Sequence, residues 1–91
     1  MVNLYKTITE TTQVSTTECY LDGVELAHTA NTTLAIFDES VGASAAGKLV
    51  STTSVTAYNR QCFIMFPNGG IKMSGIYADW TAGTGTVYYH Y

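Results

Sequence analysis

Two histidines, two cysteines, seven acids and six serines are the main stock from which this chain of 91 residues could build a catalytic or metal centre. A structural metal site wants about four ligands and a catalytic one about three, at usable spacing. Glu25 and His28 stand three apart, which on a strand sends them to opposite faces. His90 has no comparable neighbour. Cys19 and Cys62 stand singly inside strand-like runs, so they are read as buried free thiols of a reducing compartment. A serine or cysteine nucleophile needs a positioned base and an orienting acid. No Gly-x-Ser-x-Gly or other recognised frame supplies them. Asp38 and Glu39 are the nearest thing to a glycosidase pair, but they are adjacent and open a polar loop, which makes them solvated acids. Asn68-Gly69-Gly70 and Gly83-Thr84-Gly85 lack the lysine and the strand-to-helix context of a phosphate cradle. They are turns. The expectation is a protein without catalytic residues, cofactor or metal.

The aromatic residues are more informative. Tyr77, Trp80, Tyr88, Tyr89 and Tyr91 concentrate ring area near the C-terminus. Rings with polar edges suit protein interfaces, and these five are the candidate interface residues. Two other uses stay open: ordinary core packing, and stacking on a sugar. On the last strand Val87, Tyr89 and Tyr91 share one face while Tyr88 and His90 share the other.

Composition narrows the class. Hydrophobic residues make up 46% and charged residues only 12%, about half the usual charged share. Fifteen threonines and seven tyrosines suit half-buried pleated surfaces. The net charge is −3, and Lys6, Lys48, Arg60 and Lys72 are scattered singly. Nucleic-acid binding needs a clustered cationic face, so none is expected. No apolar run approaches the roughly 20 residues of a membrane-spanning helix. Met1-Val2-Asn3-Leu4-Tyr5 does not lead into a signal peptide, and a complete product made in the cytoplasm is expected. A chain this short buries only about 60–65% of its unfolded surface. Association with copies of itself would supplement that.

These residues must be positioned by strands. Residues 2–10 read as a first strand, with Val2, Leu4 and Ile8 on one parity and Lys6 interrupting. A bend at 11–13 precedes an extended run over 14–21. Asp22-Gly23 reads as a hairpin turn into a return strand over 24–28. Ala30-Asn31 is a second, weaker turn, and 32–37 a short buried strand, which together suggest an antiparallel meander. Residues 38–47 read as the longest loop, with room for one helical turn over the alanines. Residues 48–55 alternate again, with Leu49 and Val55 sharing a face opposite Val50. Residues 61–66 are apolar on both faces, the mark of a central strand or of one covered by a partner. Pro67 ends that strand. Gly75 suggests a bulge or bend. The runs 76–80 and 86–91, joined by a Gly-rich link, read as a closing hairpin, and the first and last strands read as sheet edges. The spacing predicts one domain over residues 1–91. It is all-β: a two-sheet antiparallel sandwich, jelly-roll-like, of eight to nine short strands, with a closed barrel as the alternative.

Several segments together resemble short structural proteins of tailed bacteriophages. They are Thr33-Leu34-Ala35-Ile36-Phe37-Asp38 with Lys48-Leu49-Val50 after a small-residue loop, then Phe66-Pro67-Asn68-Gly69-Gly70-Ile71-Lys72-Met73-Ser74-Gly75-Ile76-Tyr77, then Gly85-Thr86-Val87-Tyr88-Tyr89. The similarity covers about the last two-thirds of the chain and lies in strand and turn residues, not in a site. It implies a virion component made in the host cytoplasm. The role implied is capsid decoration, or cement: a homotrimer on the head surface that clamps the major capsid protein. A head fibre, a tail component or a carbohydrate- or receptor-binding module on the virion fits the same resemblance. It supplies no catalytic residue.

Overall fold

The computed structural model describes residues 3–42 and 48–91. The chain forms nine strands: β1 (Leu4–Ile8), β2 (Thr12–Ser15), β3 (Cys19–Ala27), β4 (Thr32–Phe37), β5 (Leu49–Val55), β6 (Gln61–Met65), β7 (Ile71–Met73), β8 (Ile76–Trp80) and β9 (Thr84–His90). They make two antiparallel sheets, ordered β1-β9-β3-β6 and β2-β8-β4-β5, with β7 also pairing β3. Equivalent places in the two orders are held by sequence neighbours: β1 and β2, β9 and β8, β3 and β4, β6 and β5. The chain therefore steps from sheet to sheet at each of those links, which is the winding of a jelly roll. The all-β two-sheet sandwich is the architecture expected from the alternation.

Four local expectations are corrected. The opening strands are no meander, because β1 to β4 alternate between sheets. Asp22-Gly23 is no hairpin turn either. It lies inside the nine-residue β3, where the register against β9 slips between Leu21 and Gly23. Asp22 is thus a bulge, the other structure that a strand glycine signals. The closing runs do not form a hairpin: β8 pairs with β2 and β4, whereas β9 pairs with β1 and β3. The last strand is accordingly interior, and only β1 of the two terminal strands is an edge. Residues 81–83 carry the chain across the sandwich instead, with Gly83 at φ 85° and no room for a Cβ beside the Ala27 carbonyl, 2.5 Å away.

The core lies between the sheets. Ile8, Leu21, Val24, Leu26, Leu34, Ile36, Ile76 and Val87 are wholly buried, each burial stabilising by about 1.5–3 kcal/mol. Thr32–Phe37 behaves as its alternation predicts, with Leu34 and Ile36 inward. β5 does not keep one parity. A register slip opposite Ile36 and Phe37 turns Val50 toward the core and leaves Leu49 exposed. Gly75 joins β7 in one sheet to β8 in the other, pressed against the backbones of Ser15, Glu39 and Ser40. The Gln13 amide nitrogen lies within 2.8–3.0 Å of the carbonyls of Ser15, Glu39 and Ile76, tying β2 to the same corner. Asp38 Oδ1 accepts from the Ser74 N–H and hydroxyl at 2.7 and 2.8 Å and fixes the start of the long loop. The helical turn expected over 43–47 lies outside the described residues.

Both cysteines are free thiols. Cys19 is buried and Cys62 half-buried. Burial pushes the Cys19 thiol above its ordinary 9.0, against a hydrogen bond from Ser15 that lowers it and with a smaller push from Asp38. Burial likewise raises the Tyr89 phenol from 10.0, with Tyr91 and Cys19 adding to it. The folded chain keeps two protons that the unfolded chain releases on going past pH 9 and 10. Stability should therefore hold its full value below those pH values and fall as pH rises through the raised values. Urea midpoints at a series of alkaline pH values read this directly; an unchanged midpoint would contradict it.

Candidate functional site

The outer face of the sheet β1-β9-β3-β6 carries a row of opposed residues: Tyr5, Tyr88, Gly23 and Met65. The adjacent row is Thr7, Thr86, Glu25 and Phe63. Side chains on one face of neighbouring strands meet in such rows. Because the β3 member is glycine, a notch opens between Tyr88 and Met65. A Cβ there would lie 2.9 Å from the Ile64 carbonyl oxygen and 3.4 Å from the Phe63 ring. The notch widens into a groove of about 500 Å³ bounded by Asp22, Phe63, Met65, Gly69 and Tyr88. The Phe63 and Tyr88 rings stand 5.7 Å apart and tilted by 49°.

The walls are apolar and exposed. Phe63 is 53% exposed and Met65 69%. The strand that supplies both, β6, is an edge. Apolar character on both faces of residues 61–66 left two positions open, and the central one is excluded. Cys62, Ile64 and Phe66 face the core and are half-buried, while Phe63 and Met65 face outward.

One end of the groove is polar. His90 Nδ1 lies 2.9 and 2.8 Å from the two Asp22 carboxylate oxygens. The carboxylate only accepts, so Nδ1 carries the proton. The His90 ring is buried under Tyr20, stacked at 5.0 Å and 13°. The bulge at Asp22 aims its carboxylate at this ring. An acid and an oriented imidazole are two parts of a nucleophile-activating frame. Among the described residues no serine or cysteine bonds to His90: the Ser15 hydroxyl is shared with Thr17 and Tyr91, and that of Ser74 with Asp38. Among the described residues no three of His, Cys, Asp and Glu are placed to hold a metal ion. The groove can therefore bind by contact and stacking.

The five candidate aromatics are divided among three places. Tyr88 alone lines the groove. Tyr89 packs on the core, and Tyr91, 61% exposed, meets it edge-on at 5.9 Å. Tyr77 and Trp80 belong to β8 in the other sheet. Tyr77 meets Phe37 at 6.5 Å, and the Trp80 indole N–H donates to the Gly83 carbonyl at 2.9 Å while its ring packs on the core. Phe63, Met65 and Gly23 were not among the five. The two-faced apolar strand was the signal for the first two, whereas Gly23 was taken up by the hairpin reading.

Comparison with protein-family models, with curated proteins and with solved structures finds no match for this chain.

Proposed function

We propose that this chain is a structural protein of a tailed-bacteriophage virion, working by contact rather than turnover. In its specific form, it is a capsid decoration protein that trimerises on the head surface and stabilises the shell by binding the major capsid protein. The observation that carries the docking role is the exposed apolar outer face at β6, with Phe63 53% and Met65 69% exposed on a chain only 12% charged. Contiguous apolar surface of this kind marks interaction sites. The virion and the trimer rest on the resemblance of the later segments. A jelly roll also serves in viral shells and in lectins, an analogy of fold and not of site.

The test is cosedimentation with empty shells assembled from a tailed-phage major capsid protein. The protein should pellet with the shells, saturably, and shells carrying it should resist heat better. Phe63→Ser should weaken the binding. Protein that stays in the supernatant at every ratio overturns the proposal. One observation favours a second reading, a glycan-binding module on the virion: two rings flank the groove and the Asp22 carboxylate lies at its polar end. Glycan-array binding lost in Tyr88→Ala would select it.

A further inference from the structure

The four sheet edges are not alike. β1 carries Lys6 on the same face as Leu4 and Ile8, opposite Val87 of the core. An inward-pointing charge of this kind blunts an edge. β2 is a polar strand of four residues with a register slip, and β5 is mostly Ser and Thr with another. β6 is Gln61-Cys62-Phe63-Ile64-Met65, with no charge, no proline and no slip against β3. It is the one edge with none of the usual protection.

The phase of its hydrogen bonds fixes what it offers. The Phe66 N–H donates to the Asp22 carbonyl at 2.9 Å, and the His28 N–H to the Arg60 carbonyl at 3.0 Å. Bonded pairs alternate along an antiparallel ladder, so Val24 with Ile64 and Leu26 with Cys62 are the bonded pairs between these two ends. The main-chain N–H and C=O groups of Gln61, Phe63 and Met65 therefore point away from β3, into the open edge. Their side chains lie on the outer, apolar face.

We infer that β6 pairs antiparallel with β6 of a second copy, about a two-fold axis at Phe63. The three outward residues are spaced symmetrically about Phe63. One register bonds all of them: Phe63 opposite Phe63, and Gln61 opposite Met65 in both directions. Cys62 then faces Ile64. No charged residue lies in the strand, so the two-fold sets no like charges opposite one another. Phe63 then flanks Phe63 across the axis and Met65 flanks Gln61, while their outer face stays open, and the two outer faces join in one sheet ordered β1-β9-β3-β6-β6-β3-β9-β1. A standard interface takes about 800 Å² from each partner, roughly one-sixth of the 5129 Å² this molecule exposes. A five-residue edge supplies less, so the pair should be concentration-dependent. This contact is independent of the three-fold association and of the virion role.

Site-directed disulfides test it. Opposed residues of a bonded pair have Cα atoms about 5.5 Å apart, inside the range that a disulfide spans. In a Cys62→Ser background, Phe63→Cys should oxidise to a covalent dimer on a non-reducing gel. Met65→Cys, which is as exposed, faces Gln61 of the other copy and should crosslink at least about tenfold more slowly. Equal crosslinking of the two, or none in Phe63→Cys, overturns the pairing. A second variant, Phe63→Pro, removes an N–H that β3 does not use, so the fold should survive by circular dichroism. Its mass at high concentration should fall by half relative to the parent in sedimentation equilibrium; an unchanged mass would also overturn the pairing. Neither readout involves shells, so the pairing and the decoration role fail separately.

Discussion

A chain lacking Thr86–Tyr91 should not fold. β9 is bonded on both sides, to β1 from Leu4↔Tyr89 to Ile8↔Gly85 and to β3 from Tyr20↔His90 to Ala27↔Thr84. Its removal takes wholly buried Val87 from the core, strands β1 without a neighbour in its sheet, and leaves the His90–Asp22 pair without its base. A domain of this size has about 5–9 kcal/mol to lose. The buried Val87 and His90 side chains, the half-buried Tyr89 and two ladders exceed that. Far-ultraviolet circular dichroism and amide dispersion in a proton NMR spectrum should both read as unfolded or aggregated. Tyr91→Ala should be far milder, about 0.5–1.5 kcal/mol, since it loses one ring contact and one hydrogen bond beyond the last strand. A truncated protein with native dispersion would show that β9 is not the interior strand.

Gly75→Ala should be strongly destabilising although it adds a single methyl. A Cβ at Gly75 would lie 2.5 Å from Ser40 Cα, 2.7 Å from the Glu39 oxygen and 2.9 Å from the Ser15 oxygen. All three are backbone atoms, so no side chain can rotate out of the way. The Gln13 amide holds the Ser15 and Glu39 carbonyls in place from the other side. Overpacking of this kind costs about 1–3 kcal/mol and sometimes more, and the upper end is expected because the corner joins β2, the β7–β8 link and the long loop. Gly69→Ala gives the contrast. Nothing lies within 4 Å of a Cβ there, and only its φ of 85° opposes the substitution. Denaturant midpoints of the two variants should separate by at least about 1 kcal/mol of stability. Equal midpoints would mean that the corner is looser than its distances.

The sequence made strand positions legible and strand partners much less so. Period-two alternation marked Thr32–Phe37 to the residue. Pro67 and the Asn68-Gly69-Gly70 turn behaved as local chemistry requires, with φ of 62°, 85° and 86°. Sheet order is a non-local property, and local turn signals misled wherever tertiary pairing overrode them. Asp-Gly favours a hairpin, yet Gly23 is held extended because Tyr88 and Met65 flank it on neighbouring strands. The same failure made β8 and β9 look paired. At the candidate site, parity alone separated Tyr88 from Tyr89. What parity could not give was the sheet to which Tyr77 and Trp80 belong, or the edge position that leaves Phe63 and Met65 uncovered.

The pairing of Leu4 with Tyr89 also sets a clock on biosynthesis. β1 has its sheet neighbour among residues translated some eighty positions later. Until those emerge, β1 has no hydrogen-bonding mate and β3 lacks one flank. Elongation at about 5–20 residues per second keeps that nascent half-sandwich waiting for several seconds, with the uncharged β6 segment already made. The interval before β9 emerges is when a chaperone, or another nascent copy, has its opportunity at the unpaired β1 and β3.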